Sequence, residues 1–249
     1  GWLRGNFGAD KLQYFALYPY GRGNNGWRWA GEQDVFEALD DLKSRFPIDP
    51  NRISLRGFSM GAHGVWHIGL QHPGVWSEIS PGAGFVETKI YRGFKAPLPA
   101  WQEPLLHFYD PIDYAENARN LPLFHYVGDQ DTFVIQHDLM EKRLSETSTP
   151  RKSVVARGVG HRYEPGALKT LVTELGAAVR PAQADNVDFV TYTLRWNTCR
   201  WVTITGQTTG WKRTAVKASL SADTIHVSTE NVAALQLHPE KSVTKIFID

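Results

Sequence analysis

Five residues, Gly57-Phe-Ser-Met-Gly61, constrain this chain more than any others. They lie between the short apolar run Asn51–Arg56 and a segment of helical period from Met60 to about Gln71. The spacing therefore predicts a strand, a tight turn and a helix. A serine on such a turn has strained backbone dihedrals, and neighbours without side chains give it clearance. The turn lifts the Ser59 oxygen above the sheet. It also places that oxygen at a helix N-terminus, whose free N–H groups favour developing negative charge. The Met60 N–H is the natural first donor to an oxyanion. In an arbitrary loop the same five letters would say little. The strand before and the helix after make Ser59 a candidate nucleophile.

The rest of the chain repeats that alternation. Leu12–Tyr20 reads as a buried aromatic strand, ending in the loop Gly21–Gly26. Val35, Phe36, Leu39, Leu42 and Phe46 fall at helical spacing between Gly31 and Phe46, and Pro47 marks the stop. Further strands are predicted at Trp76–Ser80, Leu123–Val127 and Ser153–Ala156. Helices are predicted over about Val134–Leu144 and Pro165–Val179, and a Pro-rich excursion separates Gly84 from Leu123. Strand–helix alternation implies crossover connections, so the expected fold class is α/β, a doubly wound, mostly parallel sheet. Ligands then bind at the carboxyl ends of the strands.

A serine hydroxyl needs a base to take its proton, and the base needs a third group to orient it. Val127-Gly-Asp-Gln-Asp131 follows a strand, so Asp129 and Asp131 both sit at the correct edge. Asp131 lies deeper in the turn and is preferred; Asp129 suits a turn-stabilising role. His161 follows the next strand in a glycine-flanked loop. Of nine histidines it alone is both downstream of the acid and at a strand's carboxyl end. His63 and His67, four apart on one helix, share a face as zinc ligands can. No glutamate follows His63 and no third ligand is evident, so no metal and no cofactor is expected.

Beyond Pro181 the pattern changes to short β-branched runs, Phe189–Leu194, Trp201–Thr205, Thr214–Ser219, Thr224–Ser228 and Ala234–Leu237. These predict a small antiparallel all-β unit. The expected division is 1–184 and 185–249. Charge is close to balanced, 27 Lys plus Arg against 26 Asp plus Glu. Nucleic acid and anionic membrane surfaces are therefore not the expected partners. The single cysteine, Cys199, excludes an intramolecular disulfide and reads as a small buried hydrophobe. The chain starts at Gly1 and its last residues, Lys245–Asp249, look like a strand cut short, so it reads as an excerpt of a longer polypeptide.

Tyr18–Trp27, Asp49–Gly61, Gly128–Asp131 and Gly160-His161 together resemble the α/β-hydrolase superfamily. Within it they look like the branch of prolyl oligopeptidase-like proteins and feruloyl and acetyl carbohydrate esterases. The resemblance covers about residues 1–179 and implies a Ser59–His161–Asp131 triad. It implies hydrolysis of a small ester or an acylated (feruloyl or acetyl) plant polysaccharide, by a protein that is secreted or periplasmic. It also implies a second oxyanion donor on a loop after an earlier strand, which this chain does not contain. Trp27, Phe85 and Phe133 fall in or beside the loops of the catalytic edge. They are candidate substrate-binding residues, and each equally suits cover for the core. A serine peptidase and a non-catalytic carbohydrate-binding scaffold are the alternative readings.

Overall fold

Among the described residues, four short strands form the sheet that carries the site: β1 (Ser54–Phe58), β2 (Glu78–Gly82), β3 (Phe124–Gly128) and β4 (Lys152–Ala156). They lie in sequential order and every pair is parallel. The computed structural model describes residues 14–181 and 184–249. Residues 14–20 form no strand, and Tyr14, Phe15, Leu17, Tyr18 and Tyr20 are exposed. A strand needs a neighbour's ladder to hold it, and no described strand pairs with this run. Leu12 and Gln13, the start of the expected strand, lie outside the described residues.

The helices are α1 (Ala30–Arg45), α2 (Met60–Gln71), α3 (Thr88–Arg92), α4 (Val134–Glu146) and α5 (Pro165–Ala177). Two 3-10 segments, Glu103–Phe108 and Pro111–Asn120, lie between β2 and β3. Helices cover both faces of the sheet, as the alternation predicts. Val35 and Leu39 of α1, Val65, Trp66 and Ile68 of α2, and Met140 and Leu144 of α4 share one core. On the opposite face, Phe124, Tyr126 and Ala156 pack with Leu171 of α5. The period-2 alternation of β3 sends Phe124 and Tyr126 to α5. His125 goes the other way, to Trp66 and His137. The α2 helix is buried on nearly every side, which matches its almost continuous apolar run.

Residues beyond 185 form β5 (Asn186–Thr191), β6 (Thr198–Cys199), β7 (Val202–Gln207), β8 (Thr214–Ser221), β9 (Thr224–Glu230), β10 (Val232–Leu237) and β11 (Lys245–Ile248). A sheet of order β10-β7-β6 and one of order β11-β9-β8-β5 enclose a core of Phe189, Val202, Ile204, Val216 and Ile225. The expected all-antiparallel pattern fails at one place: β11 pairs parallel with β9. The seven residues between β10 and β11 return the chain to the start of β9, so β11 runs the same way as its neighbour. Cys199 is buried in this core, as expected.

Candidate active site

Ser59 stands at the hinge between β1 and α2 with φ 58° and ψ −120°, a backbone region disfavoured for a residue with a side chain. Its N–H donates to the Gly82 carbonyl at 2.8 Å, and its own carbonyl accepts from Ala62 and His63. These bonds hold the strained turn. Gly57 makes it possible, because a Cβ there would be driven into the Gly61 carbonyl. Gly61 is under less pressure: a Cβ would meet only the Trp27 ring, at 3.9 Å. Met60 opens α2, where backbone N–H groups lack intrahelical acceptors.

The acid and the imidazole arrive from the ends of β3 and β4. Asp131 Oδ2 accepts from His161 Nδ1 at 2.7 Å, and Oδ1 accepts from the Phe133 N–H at 3.0 Å. His161 Nε2 lies 2.8 Å from Ser59 Oγ. The Asp131 side chain is 1% exposed while that of His161 is 43% exposed, so a dry carboxylate orients a ring open to substrate. Asp129 does something else. Its Oδ1 accepts from the Gly158 N–H at 2.8 Å, and the Asp129 and Gln130 N–H groups bond Ala156 and Val159. That lacing fastens the loop after β3 to the loop carrying His161. The structure thus brings Ser59, Asp131 and His161 into one hydrogen-bonded line from three loops at one sheet edge.

The aromatic expectations land in different places. The Phe133 ring lies 5.4 Å from that of His161, and the Phe58 ring lies 4.8 Å from it. Phe85 is buried, stacked on His63 at 3.8 Å and on Tyr91 at 4.1 Å. Trp27 is half-buried on α2, against Gly61 and Gly64. Tyr91, which links Phe85 to Phe133, lies in the Pro-rich excursion where sequence reasoning assigned no element. A signal was there: Glu87 caps the Ile90 N–H, and Gly93 ends α3 in the left-handed region.

Two histidine groups have side chains engaged apart from the triad. His63 Nδ1 contacts the Phe85 carbonyl at 3.1 Å, and burial pushes its pKa well down. His67 lies 3.4 Å from Glu32, which also accepts from His72 at 2.7 Å and from the Trp196 indole at 2.9 Å. Burial works to raise the Glu32 pKa, but the His67 and His72 contacts outweigh it and hold the carboxyl low. His125, His137 and Glu141 offer ligand atoms within 4.8 Å of one another. The two rings stack at 4.5 Å and 21°, so their in-plane lone pairs run side by side. Arg151 also holds Glu141 at 2.7 Å. Neither feature suits a cation.

Against known proteins, the family model for esterases matches residues 22–167, more than half the chain. A bifunctional acetylxylan esterase/xylanase of Neocallimastix patriciarum is 28% identical over 120 residues, covering 47% of this chain and 17% of that protein. The S-formylglutathione hydrolase of Mus musculus is 27% identical over 143 residues, covering 52% and 49%. The chain thus spans at most about half the length of these relatives. Among solved structures, an acylaminoacyl peptidase from Pyrococcus horikoshii superposes with a TM-score of 0.51 at 16% identity, over 64% of this chain and 29% of that one. That likeness is one of fold. With the parallel sheet, the helices on both faces and the family match over residues 22–167, the chain belongs to the esterase family of the α/β-hydrolase fold.

Proposed function

We propose that this chain carries the catalytic centre of a serine carboxylic-ester hydrolase acting on acylated plant polysaccharide, in a secreted or periplasmic protein. One observation carries the mechanism: the unbroken line from Asp131 through His161 to Ser59, with links of 2.7 and 2.8 Å. The Asp131 carboxylate accepts from Nδ1–H, leaving Nε2 free to take the serine proton. Ser59 Oγ attacks the ester carbonyl, and the Met60 N–H stabilises the tetrahedral oxyanion. His161 then protonates the leaving alcohol, and the acyl group stays on Ser59. Water, deprotonated by the same Nε2, releases the acid and restores the serine. Phe133, beside the imidazole, forms one wall for the acyl group, with Phe85 behind Tyr91. Trp27 backs the nucleophile turn. The acetylxylan esterase relative supports an acyl-sugar substrate.

Ser59→Ala in the full-length protein is expected to abolish acetyl and feruloyl ester turnover and labelling by a fluorophosphonate probe. Assays of acetyl, feruloyl and short peptide substrates side by side check the substrate class. Peptide cleavage without ester cleavage would replace esterase by peptidase. A wild-type protein that neither turns over esters nor takes the probe would make the chain a binding scaffold.

A further inference from the structure

Arg28 is in an unusual position for a guanidinium. It is half-buried, and its Nε donates to the Asn25 carbonyl at 3.0 Å. Its terminal nitrogens have no acceptor, and no carboxylate lies within ion-pair distance among the described residues. Other half-buried arginines here have their terminal nitrogens engaged. Arg143, Arg151 and Arg213 pair with glutamates. Arg180 and Arg200 place both terminal nitrogens on backbone or amide oxygens. Withdrawing a cation from water without a partner costs free energy. Burial lowers the Arg28 pKa, as it does that of Arg200, so it is the free terminal nitrogens that set Arg28 apart.

The surroundings show what would repay it. The Arg28 guanidinium lies over the Tyr109 ring at 4.7 Å, a cation–π contact that helps hold it in place without using its terminal N–H groups. A second guanidinium without a carboxylate partner among the described residues, Arg92, lies over Tyr91 at 5.3 Å. The nearby acid, Asp110, is engaged by the Thr88 N–H and hydroxyl, and burial raises its pKa to about 7. It therefore offsets the two cations incompletely at neutral pH. Arg28 Nε and His63 Cδ2 lie 3.5 and 2.8 Å from the point a Cβ on Gly26 would occupy. His63 is one turn along α2 from Ser59, about 6 Å. The cationic edge thus borders the aromatic stack that runs Phe133, Tyr91, Phe85 beside the nucleophile.

We infer that Arg28, with Arg92 beside it, forms a carboxylate subsite, and that the preferred substrate is an ester on a uronic-acid-bearing saccharide. The planar fork of a guanidinium matches a carboxylate through two parallel hydrogen bonds. Tyr91, exposed and lying beneath Arg92, offers its ring edge to the sugar. This inference rests on the esterase reading and adds the charge of the substrate to it.

The test uses the full-length protein and two probes: an O-acetylated oligogalacturonide, and the same oligomer with its carboxylates capped as methyl esters. Acetate release is measured, and the readout is the ratio of kcat/KM for the charged over the capped oligomer. The wild-type ratio is expected above one. Arg28→Gln is expected to lower it at least tenfold, chiefly through KM for the charged oligomer. Raising salt from about 0.05 to about 0.5 M is expected to lower the wild-type ratio at least threefold. A wild-type ratio at or below one, or a ratio that Arg28→Gln changes less than tenfold, overturns the subsite. If that variant does not fold, the salt titration decides, and a ratio that salt lowers less than threefold overturns it. Turnover of neither oligomer, with no fluorophosphonate labelling of Ser59, overturns the esterase reading and the subsite together.

Discussion

Asp129 and Asp131 stand two residues apart and do different things, and only one of them touches His161. Asp131→Asn keeps the shape but no longer accepts a proton-bearing Nδ1 in the same way. It is expected to lower kcat by roughly 10³- to 10⁴-fold with little change in KM, read from steady-state ester hydrolysis. Asp129→Ala removes one bond to the Gly158 N–H, and is expected to cost about 1 kcal/mol in urea unfolding while kcat stays within a few-fold of wild type. Glu78 gives a pH-dependent counterpart. It is buried at the start of β2, where desolvation, with Glu174 adding to it, raises its pKa to about 7. Below the unfolded value, near 4.3, both states hold the proton and the group costs nothing. As pH rises from there to about 7 the unfolded chain ionises first, so stability falls. Glu78→Gln is therefore expected to be more stable than wild type at pH 8, by up to about 3 kcal/mol, with the difference vanishing near pH 4. Denaturation series at the two pH values check this, and equal gains at both would refute it.

At the scale of elements, the site depends on how loops are tied. The short helix α3 is held by Gln136 of α4, whose Oε1 accepts from the Val86 and Glu87 N–H groups, and by Asp110. Tyr91 is thereby carried to the edge of the site by residues distant in sequence. Asn117, fully buried in the second 3-10 segment, does similar work deeper down. Its Nδ2 donates to the Leu70 and Val190 carbonyls, and its Oδ1 accepts from the Val190 N–H at 2.7 Å. The end of α2 is thus pinned to β5 through one side chain. Asn117→Ala leaves buried backbone groups unpaired, so a loss of about 3 kcal/mol in chemical denaturation is expected.

For the molecule as a whole, that pin is one of several joining the parallel sheet to the β-rich region. Trp196, between β5 and β6, is buried in the first core and donates to Glu32 of α1. Arg119 pairs with Asp188, and Arg213 with Glu116. Contacts of this number and burial couple the two regions thermodynamically. Unfolding followed by tryptophan fluorescence and by far-ultraviolet circular dichroism is expected to give coincident midpoints. Two separated transitions would show that the regions melt independently.

How much of this was legible in advance differs from place to place, for reasons that are physical. The strand–turn–helix around Ser59, the strand ends bearing Asp131 and His161 and the parallel sheet follow from local periodicity and glycine placement. Backbone sterics act over a few residues, and chain order then assigns each loop to a sheet edge. The run through Tyr18 and Tyr20 looked equally like a strand, yet pairing requires a neighbour that local pattern does not specify. Likewise β11 carries a strand's residues, but its parallel direction was set by where the preceding turn delivered it. The distances from Asp131 to His161 to Ser59, the stack through Tyr91 and the unpaired edge of Arg28 are tertiary outcomes. Each depends on elements far apart in the chain being packed against a common core, and no window of sequence holds that information.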